Sequence, residues 1–292
     1  MIFLVIRIKF HFMRKIFSGI VLISSLLFLN NDKVRAQNHQ LVKKWQTDSL
    51  LRVPESVLYD GTNKVLYTSN IGGAPAGKNG KGSIGKVGLD GKIIQVDWVT
   101  GLNGPKGLGL YNNALFAADI DEVVVIDIRS GKINHHIPVP GAEFLNDISV
   151  DSKGIVYVSD TKTGKVHRID NGVVTTYAEN IEGANGVLAV GDDLYVLGNG
   201  NLWKISKDKQ RTKITDGMDA STDGIERVNG NEFVVSCWSG VIYYIHGDGS
   251  KQQMLDTRDQ KINSADIGYD KNSRIVYVPT FFKNSIAAYE LK

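Results

Sequence analysis

The sequence predicts an all-β fold, a six-bladed β-propeller closed by pairing of its N-terminal and C-terminal strands. Three observations point to it. One segment type, about 40 residues long, recurs six times along the chain. Each copy offers three or four short strands separated by Gly, Asn and Asp turns, with no helical periodicity. The sixth copy lacks a fourth strand, and a strand-like segment stands unassigned ahead of the first.

The clearest copy is EFLNDISVDSKGIVYVSDTKTGKVHRIDNGVVTTYA, residues 143–178, followed by residues 182–215 and 220–255. Weaker copies begin at residues 53, 104 and 263. Their second strands, such as GIVYV, DLYVL, EFVVS and RIVYV, are rich in β-branched and aromatic residues, which suit a pleated, packed surface. Units of this kind repeated around an axis describe a propeller. Copies one to five end in a fourth strand: KIIQVDWV, KINHHIPV, GVVTTYAE, QRTKITD and KQQMLD. The sixth stops at Tyr289, Glu290 and Leu291, so LVKKWQTD (41–48) is expected to complete it and remove the open sheet edges.

The stretch GKGSIGKV (80–87) fits both G-x-x-x-x-G-K and G-x-G-x-x-G. A phosphate loop needs a hydroxyl residue after the Lys and a helix behind it. Here Val87 follows, and the next residues have strand and turn chemistry. In register, GSIGKVGLDG aligns with the third strand and outer turn of a blade, so no nucleotide partner is expected. The Gly-rich insertion before it, in the first blade, either gates a pocket or is a bland loop.

Residues 1–36 read as a signal peptide, with residues 1–12 as an upstream extension before Met13. Arg14 and Lys15 precede an apolar run from Ile16 to Leu29, and Val34-Arg35-Ala36 has the small-x-small form of a cleavage site. The alternative is a membrane anchor, for which the run is short of the roughly 20 residues needed. Export to the periplasm or exterior, without a stable membrane anchor, is therefore expected, leaving residues 37–292 as the propeller. Removing the leader takes six Lys/Arg and one Asp from totals of 34 and 31, leaving 28 basic and 30 acidic residues. That balance argues against nucleic acid as a partner. The single Cys237 excludes an internal disulfide and reads as a core residue, while His135 and His136 fall on an outer strand.

The triplets that open the six copies place Glu55, Lys106, Asn146, Asn185, Asp223 and Ala265 in matched register. In a propeller these positions surround the channel mouth. Turn chemistry alone accounts for a single Asn or Asp here, but Glu55 is not a turn residue. Two carboxylates held close need a proton or a cation. A calcium-like ion takes carboxylate and amide oxygens together, and Glu55, Asn146, Asn185 and Asp223 offer four.

Across roughly residues 50–290 the chain resembles the senescence-marker-protein/gluconolactonase family of six-bladed propellers, and more distantly diisopropylfluorophosphatase and the paraoxonases. FLNDISVDSKGIVYVSD, ANGVLAV and TDGIERVNGNEFVVSCWSG carry the likeness. The resemblance implies a catalytic calcium, or another divalent cation, on Glu55, Asn146, Asn185 and Asp223, with Asp223 also as nucleophile or general base. It implies a second, structural cation near Asp147, Glu226 and Asp266, which read equally well as satisfied channel carboxylates. Two positions depart from the family. Phe144 stands where sugar lactonases carry an Arg, which points to a more apolar substrate. Lys106 stands where paraoxonases place a His; it either assists an oxyanion or substrate carboxylate, or pairs with Glu55 or Asp223 and replaces the cation.

Two functions remain open at this point. One is an exported, metal-dependent hydrolase of a lactone, ester or related small molecule, expected to be monomeric. The other is a non-catalytic propeller serving as a ligand-binding or protein-interaction module, since fold does not choose function.

Overall fold

The computed structural model describes residues 38–292; the expected leader, residues 1–36 with its extension 1–12, lies outside them. The described residues form six four-stranded antiparallel sheets. A single strand, β1 (Leu41–Gln46), precedes the first complete blade. Blade one is β2 (Pro54–Asp60), β3 (Val65–Asn70), β4 (Gly82–Gly88) and β5 (Ile93–Leu102). Blade two is β6 (Pro105–Tyr111), β7 (Ala114–Asp119), β8 (Glu122–Asp127) and β9 (Lys132–Pro138). Blade three is β10 (Leu145–Val150), β11 (Val156–Asp160), β12 (Lys165–Asp170) and β13 (Val173–Ala178). Blade four is β14 (Ala184–Val190), β15 (Asp193–Gly198), β16 (Asn201–Ile205) and β17 (Arg211–Thr215). Blade five is β18 (Thr222–Asn229), β19 (Glu232–Cys237), β20 (Val241–Ile245) and β21 (Lys251–Asp256). Blade six is β22 (Gly268–Asp270), β23 (Ile275–Pro279) and β24 (Ile286–Leu291), completed by β1.

The innermost strands touch in turn, from β2 to β6, β10, β14, β18 and β22, and β22 touches β2 again. The ring is closed there by the backbone: Asp266 N donates to the Glu55 carbonyl at 2.9 Å. At the rim, β1 pairs antiparallel with β24 from Leu41 opposite Leu291 to Gln46 opposite Ala287. Closure by the chain's two ends is as the sequence predicts.

The core lies between blades. Six buried clusters form, each shared by two neighbours. Adjacent residues on one strand enter different clusters: Tyr67 packs toward blade two, and Leu66 beside it toward blade six. Val235 and Val234 divide likewise between blades four and six. A strand buried on both faces needs apolar residues at successive positions, which is why the second strands read as near-continuous apolar runs.

Gly82–Gly88 is the third strand of blade one, paired on both sides, and no helix follows it. The phosphate-loop reading is thereby excluded. The Gly-rich insertion before it reaches the channel mouth, where the Pro75 carbonyl accepts a hydrogen bond from Lys106 Nζ at 2.9 Å. Lys78 in the same loop pairs with Asp121 of blade two at 2.5 Å. Cys237 is fully buried, and burial pushes its thiol far above the usual range. His135 and His136 lie exposed on β9. No helix among the described residues is long and apolar enough to cross a membrane.

Candidate functional site

Each of the first five innermost strands shifts register at its start, between Pro54 and Ser56, Pro105 and Leu108, Leu145 and Ile148, Ala184 and Val187, and Thr222 and Ile225. A bulge frees a residue from the ladder and re-aims its side chain. Glu55, Lys106, Asn146, Asn185 and Asp223 all fall within these shifts. In blades one, three and five the amide just past the mouth residue finds a serine hydroxyl on the second strand. Ser56 N donates to Ser69 Oγ, Asp147 N to Ser159 Oγ and Gly224 N to Ser236 Oγ, each at 2.9 Å. Such a partner is required, because a buried amide without one is costly.

The last residue of the second strand fixes the entry to the bulge. Asp119 accepts from the amides of Asn103 and Gly104 at 2.8 and 2.7 Å. Asp160 accepts from those of Glu143 and Phe144, both at 3.0 Å. Asn70 Oδ1 accepts from Arg52 N at 3.3 Å. These amides lie two or three residues ahead of Lys106, Asn146 and Glu55. Burial would raise the Asp160 carboxyl, but His167 and Thr163 beside it and the two amides outweigh that and hold it well below the usual range. Asn70, Asp119 and Asp160 are positioning residues; in the sequence each is marked only as a polar residue closing a second strand.

Glu55, Lys106, Phe144, Asn146, Asn185 and Asp223 line one cavity of about 380 Å³ at the mouth, so the residues singled out from blade register come together there. Ala265, the sixth register position, offers no ligand atom and is buried against Ile71 and Phe281. Asn146 Nδ2 donates to Thr161 Oγ1 at 3.0 Å, and that hydroxyl donates on to the Ala184 carbonyl at 2.7 Å. Asn185 Nδ2 donates to Asp223 Oδ1 at 3.2 Å. With their NH2 groups so engaged, the amides turn acceptor oxygens to other uses. Glu55 Oε2 and Asn185 Oδ1 are buried without any hydrogen-bond partner.

The electrostatics are those of a site short of positive charge. Burial pushes the Glu55 carboxyl well above its ordinary range, Asp223 and Asp266 push it the same way, and Lys106 opposes them. Asp223 is likewise raised by burial and then by Asp266, against the Asn185 hydrogen bond. Lys106 is nearly inaccessible, and burial lowers its ammonium while Glu55 and Asp119 counter that. Its Nζ donates to the carbonyls of Pro75 and Gly104, both at 2.9 Å, and lies 4.3 Å from the Phe144 ring centroid. No ion pair joins it to Glu55 or Asp223 among the described residues. Its ammonium is held by two backbone carbonyls rather than by either carboxylate.

An oxygen-only set of two carboxylates and two amides, with two of its oxygens orphaned, fits a hard divalent cation. Among the described residues no three His, Cys, Asp or Glu side chains converge as a metal cluster; the mouth set has only two such groups and relies on the asparagines.

Asp147, Glu226 and Asp266 line a second cavity of about 310 Å³, further along the channel. Asp147 and Asp266 have hydrogen-bond partners. Asp147 accepts from Ile148 N at 2.6 Å and Val187 N at 2.7 Å, and Ser56 Oγ donates to Asp266 Oδ2 at 2.5 Å. Burial still pushes Asp266 up to about 7 and Glu226 up to about 8.

Besides Phe144, three further aromatic residues stand in the wall of the mouth cavity, and the blade register does not mark them. Trp238, from the turn after β19, and Phe281 and Phe282, from the turn after β23, line it.

No protein-family model matches the chain, and no curated protein matches it in sequence. Solved structures do match in fold. Selenomethionine-substituted virginiamycin B lyase from Staphylococcus aureus superposes with a TM-score of 0.64 at 13% identity, over 87% of this chain and 99% of the lyase. A catalytically inactive variant of that lyase with quinupristin gives 0.61 at 13% identity over the same shares. A nidogen/laminin complex gives 0.58 at 16% identity, over 70% of this chain and 80% of that one. These neighbours are six-bladed propellers. The chain shares their fold, and at such identities the likeness extends to fold alone.

Proposed function

We infer that this chain is an exported hydrolase of a lactone, ester or related small molecule, dependent on calcium or another divalent cation at the channel mouth. The observation that carries the reading is the pair of orphaned, buried oxygens, Glu55 Oε2 and Asn185 Oδ1, in a cavity with two carboxylates. Glu55, Asn146, Asn185 and Asp223 would hold the ion. When bound, it supplies Lewis-acid polarisation of the substrate carbonyl.

The residues themselves supply the rest. Asp223 has one oxygen committed to Asn185, leaving Oδ2 to take a proton from the attacking water. The water oxygen bonds to the carbonyl carbon, the acyl–oxygen bond breaks, and the proton passes from Asp223 to the leaving oxygen. Lys106 uses two of its three N–H donors on Pro75 and Gly104. Its third is available to the oxyanion that forms.

Hydrolysis of a panel of lactones and esters, with calcium and with chelator, tests this reading. Turnover that needs the ion and is lost in Asp223→Asn supports it; no turnover with any divalent ion overturns it. The second reading, a non-catalytic binding module, draws support from the nidogen/laminin likeness, a propeller found in a protein complex.

A further inference from the structure

Residues 38–40 do more than lead into β1. Gln40 N donates to the Lys292 main-chain oxygen at 3.0 Å and Lys292 N to the Gln40 carbonyl at 2.9 Å, which adds a rung to the closing pair of β1 and β24. One residue earlier the segment reaches blade five. His39 N donates to Gln252 Oε1 at 3.0 Å, and Gln252 Nε2 donates back to the His39 carbonyl at 2.7 Å. The side-chain amide on β21 thus answers both backbone groups of His39, as a neighbouring strand would. His39 ties blade five to the seam where the two ends of the propeller meet.

The His39 ring completes the tie. It is 7% exposed and stacks on Tyr244 of β20, with centroids 3.8 Å apart and planes 21° apart. Tyr244 Oη donates to Glu232 Oε2 at 3.0 Å, which fixes the platform under the ring. His39 Nδ1 donates to the Lys292 oxygen at 3.2 Å. A carbonyl oxygen only accepts, so the proton of the neutral ring sits on Nδ1 and Nε2 carries none. The titratable and charged groups that face the ring come from every element packed against it. They are Tyr244, His246 just after β20 with its centroid 5.8 Å away, Glu232 of β19, and Arg274 ahead of β23. Lys292 presents its main-chain oxygen, while its ammonium lies 3.7 Å from Glu290. Burial holds the His39 imidazole below its ordinary range. The Lys292 oxygen and Glu232 oppose that, and His246 and Arg274 reinforce it.

We propose that His39 is an acid-released clasp: proton uptake on its ring frees residues 38–40 from Gln252 and Lys292 and exposes the end of the closing pair to fraying. A free imidazole titrates near 6.5. A ring held lower in the folded chain binds fewer protons than the freed segment does, so the hold is full above about pH 6.5 and weakens as the pH falls below it. The clasp rests neither on the mouth site nor on the proposed hydrolysis.

Amide hydrogen exchange, corrected for the intrinsic rate at each pH, reads the clasp through His39, Gln40 and Lys292, with β8 as the reference strand. Between about pH 7.5 and about pH 5 the protection of these three amides should fall at least about threefold relative to β8. His39→Phe keeps a ring to stack on Tyr244 but takes no proton, and it should show the same protection at both pH values. Equal protection of the parent at both, or the same fall in His39→Phe, overturns the clasp. A second measurement needs no variant: the His39 ring resonances should titrate with a midpoint below about 6.5. A midpoint at or above that value overturns the clasp as well.

Discussion

Asn185 Nδ2 donates to Asp223 Oδ1 across 3.2 Å, while the same amide's Oδ1 is buried without a partner. One side chain thus joins two neighbouring blades and leaves an acceptor unused. On the proposed function, that acceptor belongs to a cation. Asn185→Asp would replace the donor with a third carboxylate. In chelator this variant should melt several degrees below the parent, through like-charge repulsion in a buried site. With calcium present the difference should close or reverse. Thermal melts with and without the ion check this, and a deficit that calcium does not narrow counts against the site.

The channel carboxylates give stability a defined pH dependence. Glu226 and Asp266 have folded-state values of about 8 and about 7, against about 4 when unfolded. Between those limits the folded chain binds more protons than the unfolded chain, so stability falls as pH rises. Chelator-treated protein should therefore melt lower at pH 8 than at pH 5, and Glu226→Gln should flatten the slope. A melting temperature that rises over this range would contradict the assignment. Asp160 acts in the opposite sense: its depressed value contributes stability above about pH 4 that is lost in more acid solution.

Gly107 follows the mouth residue Lys106 where the inner strands of blades two and three pack against each other. A Cβ added there would lie 2.4 Å from Asp147 Cα, a backbone atom that cannot swing away. Gly107→Ala should cost about 1–3 kcal/mol by overpacking, roughly 2–4 °C of melting temperature per kcal/mol in a chain of this size. Chemical denaturation measures the loss; an unchanged midpoint would mean the strands can part.

Asp160→Ala removes the acceptor for two amides, those of Glu143 and Phe144, just ahead of Asn146. These donors are part-buried, so leaving them unpaired costs less than the roughly 1–3 kcal/mol each of fully buried ones. On the proposed function the loop should also loosen its hold on Asn146 and weaken calcium binding by roughly ten- to a hundredfold. Chemical denaturation measures the stability loss and calorimetric titration of calcium measures the affinity, which separates the two effects.

The fold was legible because each blade repeats its chemistry. Strands buried on both faces forced apolar runs such as those around Val234 and Val235, and the missing fourth strand left β1 only one place to pair. Glu55, Asn146, Asn185 and Asp223 could be grouped for the same reason: pseudo-rotation carries matched positions to one point. The aromatic wall of the mouth cavity offered no such repeated residue type. Ile71, Thr161, Trp238 and Phe281 all lie just after the second strands of their blades and line the cavity, but their side chains differ from blade to blade. The partners of Asp119 and Asp160 were hidden as well, since they depend on where the bulge falls.

The most direct test of the central claim is a calorimetric titration of calcium into chelator-treated protein, with Asp223→Asn beside it. One ion per chain is expected, with a higher melting temperature when it binds and loss of both in the variant. No binding of calcium or any other divalent ion, with a melting temperature indifferent to chelator, would contradict it.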